Sequence, residues 1–332
     1  MSNIIVSSRI TMRRNYADMP FPGKMDDVQK QVVLARVSSA LAEADPPYQM
    51  VTEGDTLDER SQQMRGNHGL DFPSLRDGTA LFVKSSDMHV AVNFEDTVTL
   101  ERVFKRDDPD AALDIVQSEA NKIFRSHTPA HHESIGFLTA SPHLAGSGIQ
   151  ISTIVHLPVL TELRQIPAVK SDVEQHSACS FAALVTAGEK NLAALYEISN
   201  AGKGAASAKQ SLLAVQMAVD KVVKREKALA EKVLTVPHSA LVDQAFRAYG
   251  IMRYARRINI TEFLALWSRL RMGAENGILD VDLSIIDDLY RELSYVHRPQ
   301  DHEEAKSLKE INFRRAETIR KRLMEDNNAT IR

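Results

Sequence analysis

The segment HVAVNFEDTVTLERVF, His89 to Phe104, alternates like a strand and gathers Asn93, Glu95 and Asp96 at its bend. Carboxylates placed this way can hold a cationic group or draw a proton from it. Close to the N-terminus, Arg9, Arg13 and Arg14 share one short stretch. Their planar guanidinium groups suit two-pronged contacts with phosphate or carboxylate. Each constellation also has an ordinary reading, a polar turn in the first case and solvated charges near a terminus in the second. Other stretches carry less chemistry. HTPAHH supplies His127, His131 and His132, but its proline and polar neighbours suit a surface loop, and no carboxylate stands at a supporting metal-ligand spacing. GKGAASAK lacks the G-x-x-x-x-G-K-[ST] spacing of a phosphate loop and reads as a link into a helix. Cys179 is the single cysteine and reads as a small buried apolar residue.

The elements that must position these residues fall into two kinds. DDVQKQVVLARVSSALAEAD (26–45) has apolar residues at helical spacing and stops before two prolines. From Thr79, TALFVKS, MHVAVNF and VTLERVF predict a meander of antiparallel strands. Residues 108–126 return to helical spacing. IGFLTASP (135–142) and GIQISTIVHLP (148–158) predict two more strands around a glycine-containing loop. A helix follows Pro158, then strands near 180–186 and 193–198. From residue 205 the chain is almost entirely helical, broken at Pro237. The expected fold is α+β, a large antiparallel sheet flanked by helices, followed by an all-α C-terminal domain. The division is placed at 235, giving domains 1–235 and 236–332.

Composition narrows the function classes. The 332 residues carry 41 basic and 44 acidic side chains, net −3, which gives no general pull toward nucleic acid or an anionic membrane. One cysteine excludes a disulfide framework within the chain and suits a reducing cytoplasm. No apolar run approaches a membrane span, and arginines interrupt the N-terminus where a signal peptide would be apolar.

Several motifs, in order and at matching separations, resemble the bacterial protein-arginine kinases of the McsB type, in the ATP:guanido phosphotransferase (phosphagen kinase) family. VSSRITMRRNYADMPFP is similar to that family's opening S-S-R-I-R-L-A-R-N…F-P, and VNFEDTVTL to its N-E-E-D-H-x-R-I. GFLTASPHLAGSGIQISTIVHLP, ALYEISN and EFLALWSRLRMGAENGIL resemble three later segments. The resemblance implies a guanido kinase catalytic fold, ATP with Mg²⁺ as cofactors, and protein substrates or regulatory protein partners. A homodimer is compatible with it, and it implies neither nucleic acid nor membrane. In such kinases arginines clamp the nucleotide phosphates and glutamates hold the substrate guanidinium.

Carried over position by position, the resemblance makes Glu95 the catalytic glutamate and keeps Asp96. Phe94 stands at the other glutamate, and Thr97 at the histidine after the aspartate. The implied ATP-side positions are Ser7, Ser8, Arg9, Thr11, Thr99, Gln150, Ser152, Thr153 and Ala182. Of these, Thr11, Thr99, Gln150 and Ala182 stand where the family has arginine. A gapless count back from LYEISN puts Ala187 at a second catalytic glutamate, with Glu189 as a substitute if the loop is shorter. In the C-terminal region INFRRA keeps Arg315 of a phosphoarginine pocket but has Asn312 where that motif has aspartate. The other reading of that stretch is an exposed helix with a basic face. The losses predict a kinase homologue impaired in phosphoryl transfer that keeps a binding or regulatory role. The alternative is an active guanidino kinase with a rearranged ATP site, using Arg9, Arg13, Lys84 or Arg102 as replacement clamps.

Overall fold

The computed structural model describes residues 3–52, 75, 78–85, 87–105, 108–184, 191–200, 207–294 and 307–325. Its centre is an eight-stranded sheet built from β1 (Ile5–Arg14), β2 (Gln49–Val51), β3 (Ala80–Ser85), β4 (Met88–Val92), β5 (Val98–Phe104), β8 (Ile149–His156), β9 (Ser180–Ala183) and β10 (Leu195–Ser199). The strand order is β2-β3-β4-β5-β1-β8-β10-β9, and every neighbouring pair is antiparallel. A separate two-stranded ribbon joins β6 (His131–His132) to β7 (Gly136–Phe137).

The middle of the sheet is the strand that composition hides. β1 alternates Arg9, Thr11 and Arg13 with Ser8, Ile10 and Met12, so its apolar content is low although Ile10 is fully buried. Alternate side chains of a strand face opposite ways. One face of the sheet therefore carries Ile10, Met12, Val90, Leu100 and Ile151, and packs with α1 (Asp27–Leu41), α2 (Pro109–Ile123) and α5 (Ala208–Leu234) into one hydrophobic core. Helix α1 starts at a capping box between Asp26 and Gln29. It ends at Leu41, short of the expected 45, before the Pro46–Pro47 pair.

The strand expected over 135–142 is a correction. Only Gly136 and Phe137 pair, and Pro142–Leu144 form a 3-10 turn. Gly136, Gly146 and Gly148 all have positive φ, which a continuous strand does not allow. At Gly148 a Cβ would also lie 2.7 Å from the Arg13 carbonyl, so the glycine lets this loop close against β1.

Beyond α5 the chain forms α6 (Ala240–Tyr254), α7 (Ile260–Glu275), α8 (Leu283–Leu293) and α9 (Leu308–Glu325). Two short helices, α3 (Pro158–Glu162) and α4 (Ile166–His176), lie earlier, between β8 and β9. The C-terminal helices share a second core with Val159, Ala193 and Leu195 around the fully buried Trp267. They are fastened to the sheet through buried charge. Arg271 donates to Asp287 (2.8 Å), Glu275 (2.9 Å), the Asn3 carbonyl (2.7 Å) and His156 Nδ1 (3.3 Å). Lys105, just past β5, also pairs with Asp287. Because Arg271 donates to Nδ1, His156 carries its proton on Nε2, which donates to Ser268 Oγ at 2.9 Å. No helix among the described residues is long and apolar enough to cross a membrane.

Candidate active site

The bend at 93–97 is held from below. Asn93 sits at φ 61°, a left-handed conformation that asparagine tolerates, and its N–H donates to the Thr97 carbonyl at 3.0 Å. Its side chain donates to the carbonyls of Gly78 (2.8 Å) and Lys30 (3.0 Å). Asp96 is buried and accepts from Asn15 Nδ2 and from the Ala140 N–H, both at 2.7 Å. Asn15 Oδ1 in turn accepts from the Thr97 N–H and hydroxyl, each at 2.8 Å. Asn15 and Asp96 are thus the anchors of the bend, joining it to the end of β1 and to the loop at 140. Glu95 projects from the anchored bend and is exposed.

Beside the bend, the sheet face opposite the α1–α2 core carries the polar residues. Thr11 stands opposite Glu101 on one side and Gln150 on the other. Arg13 stands opposite Thr99, and Arg9 opposite Ser152. Ser7, opposite Ile154, belongs to this face as well. Arg9 Nη1 lies 3.8 Å from Glu101 Oε1, and Thr11 donates to Glu101 Oε2 at 3.2 Å. Arg13 donates to Gln150 Oε1 at 3.2 Å, with its Nε 3.9 Å from Asp96 Oδ2. Burial lowers the Arg13 pKa, against the attraction of Asp96, Glu101 and Glu95. Glu101 is only 3% exposed. Burial pushes its carboxyl up to about 7, although Arg9, Thr11 and Arg13 pull it down and Glu197 adds repulsion.

Glu101 is the residue that motif reading passes over. It lies outside N-E-E-D-H-x-R-I, but strand alternation from Thr99 already puts it on the arginine face. Asn15 closes the opening motif, and its part in the bend shows only in three dimensions.

Other expected residues are distributed differently. Ser8 and Thr153 lie on the core face, buried and hydrogen-bonded to each other at 3.0 Å. They are a corrected pair, because alternation turns them away from Arg9. Ser152, on the arginine face, is buried. Ala182 lies on edge strand β9, opposite Glu197. Ala187 and Glu189 lie outside the described residues. Lys84 is engaged by Glu119 at 3.2 Å and Arg102 by Asp87 at 3.4 Å, and alternation puts both on the core side. Neither is a replacement clamp. Arg14 also turns away from Arg9 and Arg13, with its guanidinium 3.6 Å above the Phe137 ring, and burial lowers its pKa to about 10. The three histidines have separate neighbours: His127 meets Tyr16, His131 meets Phe137, and His132 bonds to Ser134.

In α9, Arg315 is 3% exposed, and Ala316, Ile319 and Leu323 are fully buried. Arg314, Lys321 and Arg322 stay on the exposed side of the helix, while Arg315 turns inward. Arg315 Nη1 donates to the Ile258 carbonyl and to Asn312 Oδ1, both at 2.9 Å. This arginine therefore brackets α9 to the segment before α7.

Residues 31–229 match the model of the ATP:guanido phosphotransferase C-terminal catalytic domain. The chain belongs to the ATP:guanido phosphotransferase family. Residues 238–331 match the C-terminal domain of the protein-arginine kinase McsB. Among whole proteins, the chain is 28% identical over 298 residues to a protein-arginine kinase of Caldanaerobacter subterraneus subsp. tengcongensis, covering 86% of this chain and 87% of that one. It is 24% identical over 329 residues to the protein-arginine kinase of Clostridium acetobutylicum, covering 97% and 96%. Among solved structures, lombricine kinase superposes with a TM-score of 0.59 at 19% identity, over 70% of this chain and 69% of that one. That likeness shows the guanidino-kinase fold.

Proposed function

We propose that this chain is a protein-arginine kinase homologue, of domains 1–235 and 236–332, whose phosphoryl transfer is impaired and whose scaffold serves binding or regulation of protein partners in the cytoplasm. The observation that carries this reading is the composition of the arginine face. Thr11, Thr99 and Gln150 are neutral, and the remaining guanidiniums, Arg9 and Arg13, already face Glu101, Gln150 and Asp96. Neutral Thr and Gln cannot supply the charge-assisted forks that a triphosphate needs. Phosphoryl transfer rests on positioning and on neutralising spread negative charge, and one transition-state arginine can be worth roughly 10³–10⁵ in rate. These residues do not fit a tightly held Mg-ATP.

The competing reading, an active kinase with a rearranged site, rests on Glu95. It stands exposed on an anchored bend, close enough to Arg13 to pull against the burial that lowers that arginine's pKa. Calorimetric titration with Mg-ATP separates the two. Impairment predicts binding no tighter than about 1 mM, some 4 kcal/mol. Micromolar binding would favour the active kinase.

A further inference from the structure

Glu101 has a geometry that neither a core residue nor a simple salt bridge explains. Its side chain is buried between three strands, opposite Thr11 on β1 and opposite the buried His89 on β4. Oε2 is held by the Thr11 hydroxyl. Oε1 has no hydrogen-bond partner among the described residues and lies 3.8 Å from Arg9 Nη1, within attraction but beyond a hydrogen bond. A buried carboxylate oxygen left without a donor is costly, and so is a half-buried arginine with only a loose counter-charge. The two share one arrangement in which each is incompletely satisfied.

We infer that Glu101 is a built-in anion occupying the Arg9–Arg13 pair, so that this face accepts an external oxyanion, a sulfate or a phosphate group, only once the Glu101 carboxylate is neutralised. The inference rests on reading this face as a degraded nucleotide site, and it names what now fills that site. An incoming oxyanion offers Arg9 several acceptor oxygens at hydrogen-bond distance, where Glu101 offers one at long range. With the carboxylate charged, the newcomer meets Glu101, Asp96, Glu95 and Glu197 around two guanidiniums. With it neutral, Arg9 loses the carboxylate that lies 3.8 Å from its guanidinium. Protonation in the neutral range is within reach, since burial holds the Glu101 carboxyl up at about 7. The groups facing Glu101 and its arginines are Arg9, Thr11 and Arg13 from β1, His89 from β4, Gln150 from β8, Glu197 from β10, and Glu95 and Asp96 from the bend.

The test is calorimetric titration of the full chain with inorganic sulfate, whose charge is constant between pH 6 and pH 8, and separately with Mg-ATP. Glu101→Gln keeps shape and hydrogen bonding while removing the charge. At pH 8 it is expected to bind sulfate at least about tenfold more tightly than wild type, and Arg9→Gln in the same background should abolish the gain. Wild type alone should bind sulfate more tightly at pH 6 than at pH 8, by about tenfold over the two units for one linked proton with the carboxyl at about 7, and Glu101→Gln should lose that dependence. Equal affinities in wild type and Glu101→Gln, absence of binding by both, or a pH-independent wild type would each overturn the inference. Micromolar Mg-ATP binding by wild type at pH 8 would instead overturn the reading of a degraded site on which it rests.

Discussion

At the scale of single residues, the substitutions matter through the charge they leave behind. Thr11 donates to Glu101 and Gln150 accepts from Arg13, so both fit the sheet. On the proposed reading, what Thr11, Thr99 and Gln150 omit is positive charge, while Arg9 and Arg13 lie beside carboxylates. Glu101 makes a separate prediction about stability. The folded protein holds its proton more tightly than the unfolded chain does, because burial raises the carboxyl from 4.5 to about 7. Ionisation therefore costs the fold stability as pH rises through that window. Glu101→Gln should raise the melting temperature at pH 8, by a stabilisation on the order of 1–3 kcal/mol, and leave it nearly unchanged at pH 4.5. Thermal unfolding by circular dichroism at both pH values measures this. A variant less stable than wild type at pH 8 would mean that the pull of Arg9 outweighs the cost of burial.

At the scale of elements, strand alternation and loop closure decide what the site can contain. Period-two reading of VTLERVF finds Thr99 and Glu101 on one face, and the helical periodicity of 26–45 and of the C-terminal helices is equally plain in the sequence. β1 is not plain, because a central strand with arginine and threonine outside and serine inside lacks the usual apolar signature. The bend at 93–97 was legible as a polar cluster. Its anchoring was not, since Asn15 lies 81 residues from Asp96 and only the β1–β5 pairing brings them together. Serine pairs such as Ser7 and Ser8 read as one motif, yet alternation sends them to opposite faces. The glycine loop carries its own test. Gly148 combines positive φ with close approach to the Arg13 carbonyl, so Gly148→Ala should cost about 1–3 kcal/mol in chemical denaturation. A neutral effect would show that the loop can move away from β1 without loss.

At the scale of the whole molecule, the sheet face and the helical module are parts of one structure. β8 presents Gln150 and Ser152 beside the arginines and, farther along the same face, His156 to the helical module. Lys105 continues β5 into the same junction, where Arg271 ties Asp287, Glu275, His156 and Asn3 together. Removing one member of such a buried network leaves others uncompensated. Arg271→Ala should destabilise the chain by about 3–5 kcal/mol, read by denaturant unfolding through the fluorescence of Trp267, the single tryptophan. The junction is also sensitive to acid. Burial, together with Arg271, lowers the His156 pKa from 6.5 to about 4 against the pull of Glu275 and Asp287. The unfolded chain therefore takes up this proton first, and stability present above 6.5 is lost as pH falls toward 4. His156→Gln should flatten that part of the pH profile.

Whether phosphoryl transfer survives on this scaffold is the question most directly open to measurement. The purified full chain is incubated with Mg-ATP and an unfolded arginine-rich protein, and the products are read by mass spectrometry under conditions that preserve acid-labile phosphoarginine. The proposed impairment predicts no phosphoarginine above the enzyme-free control. Robust, ATP-dependent phosphoarginine that disappears in Glu95→Ala would contradict the account.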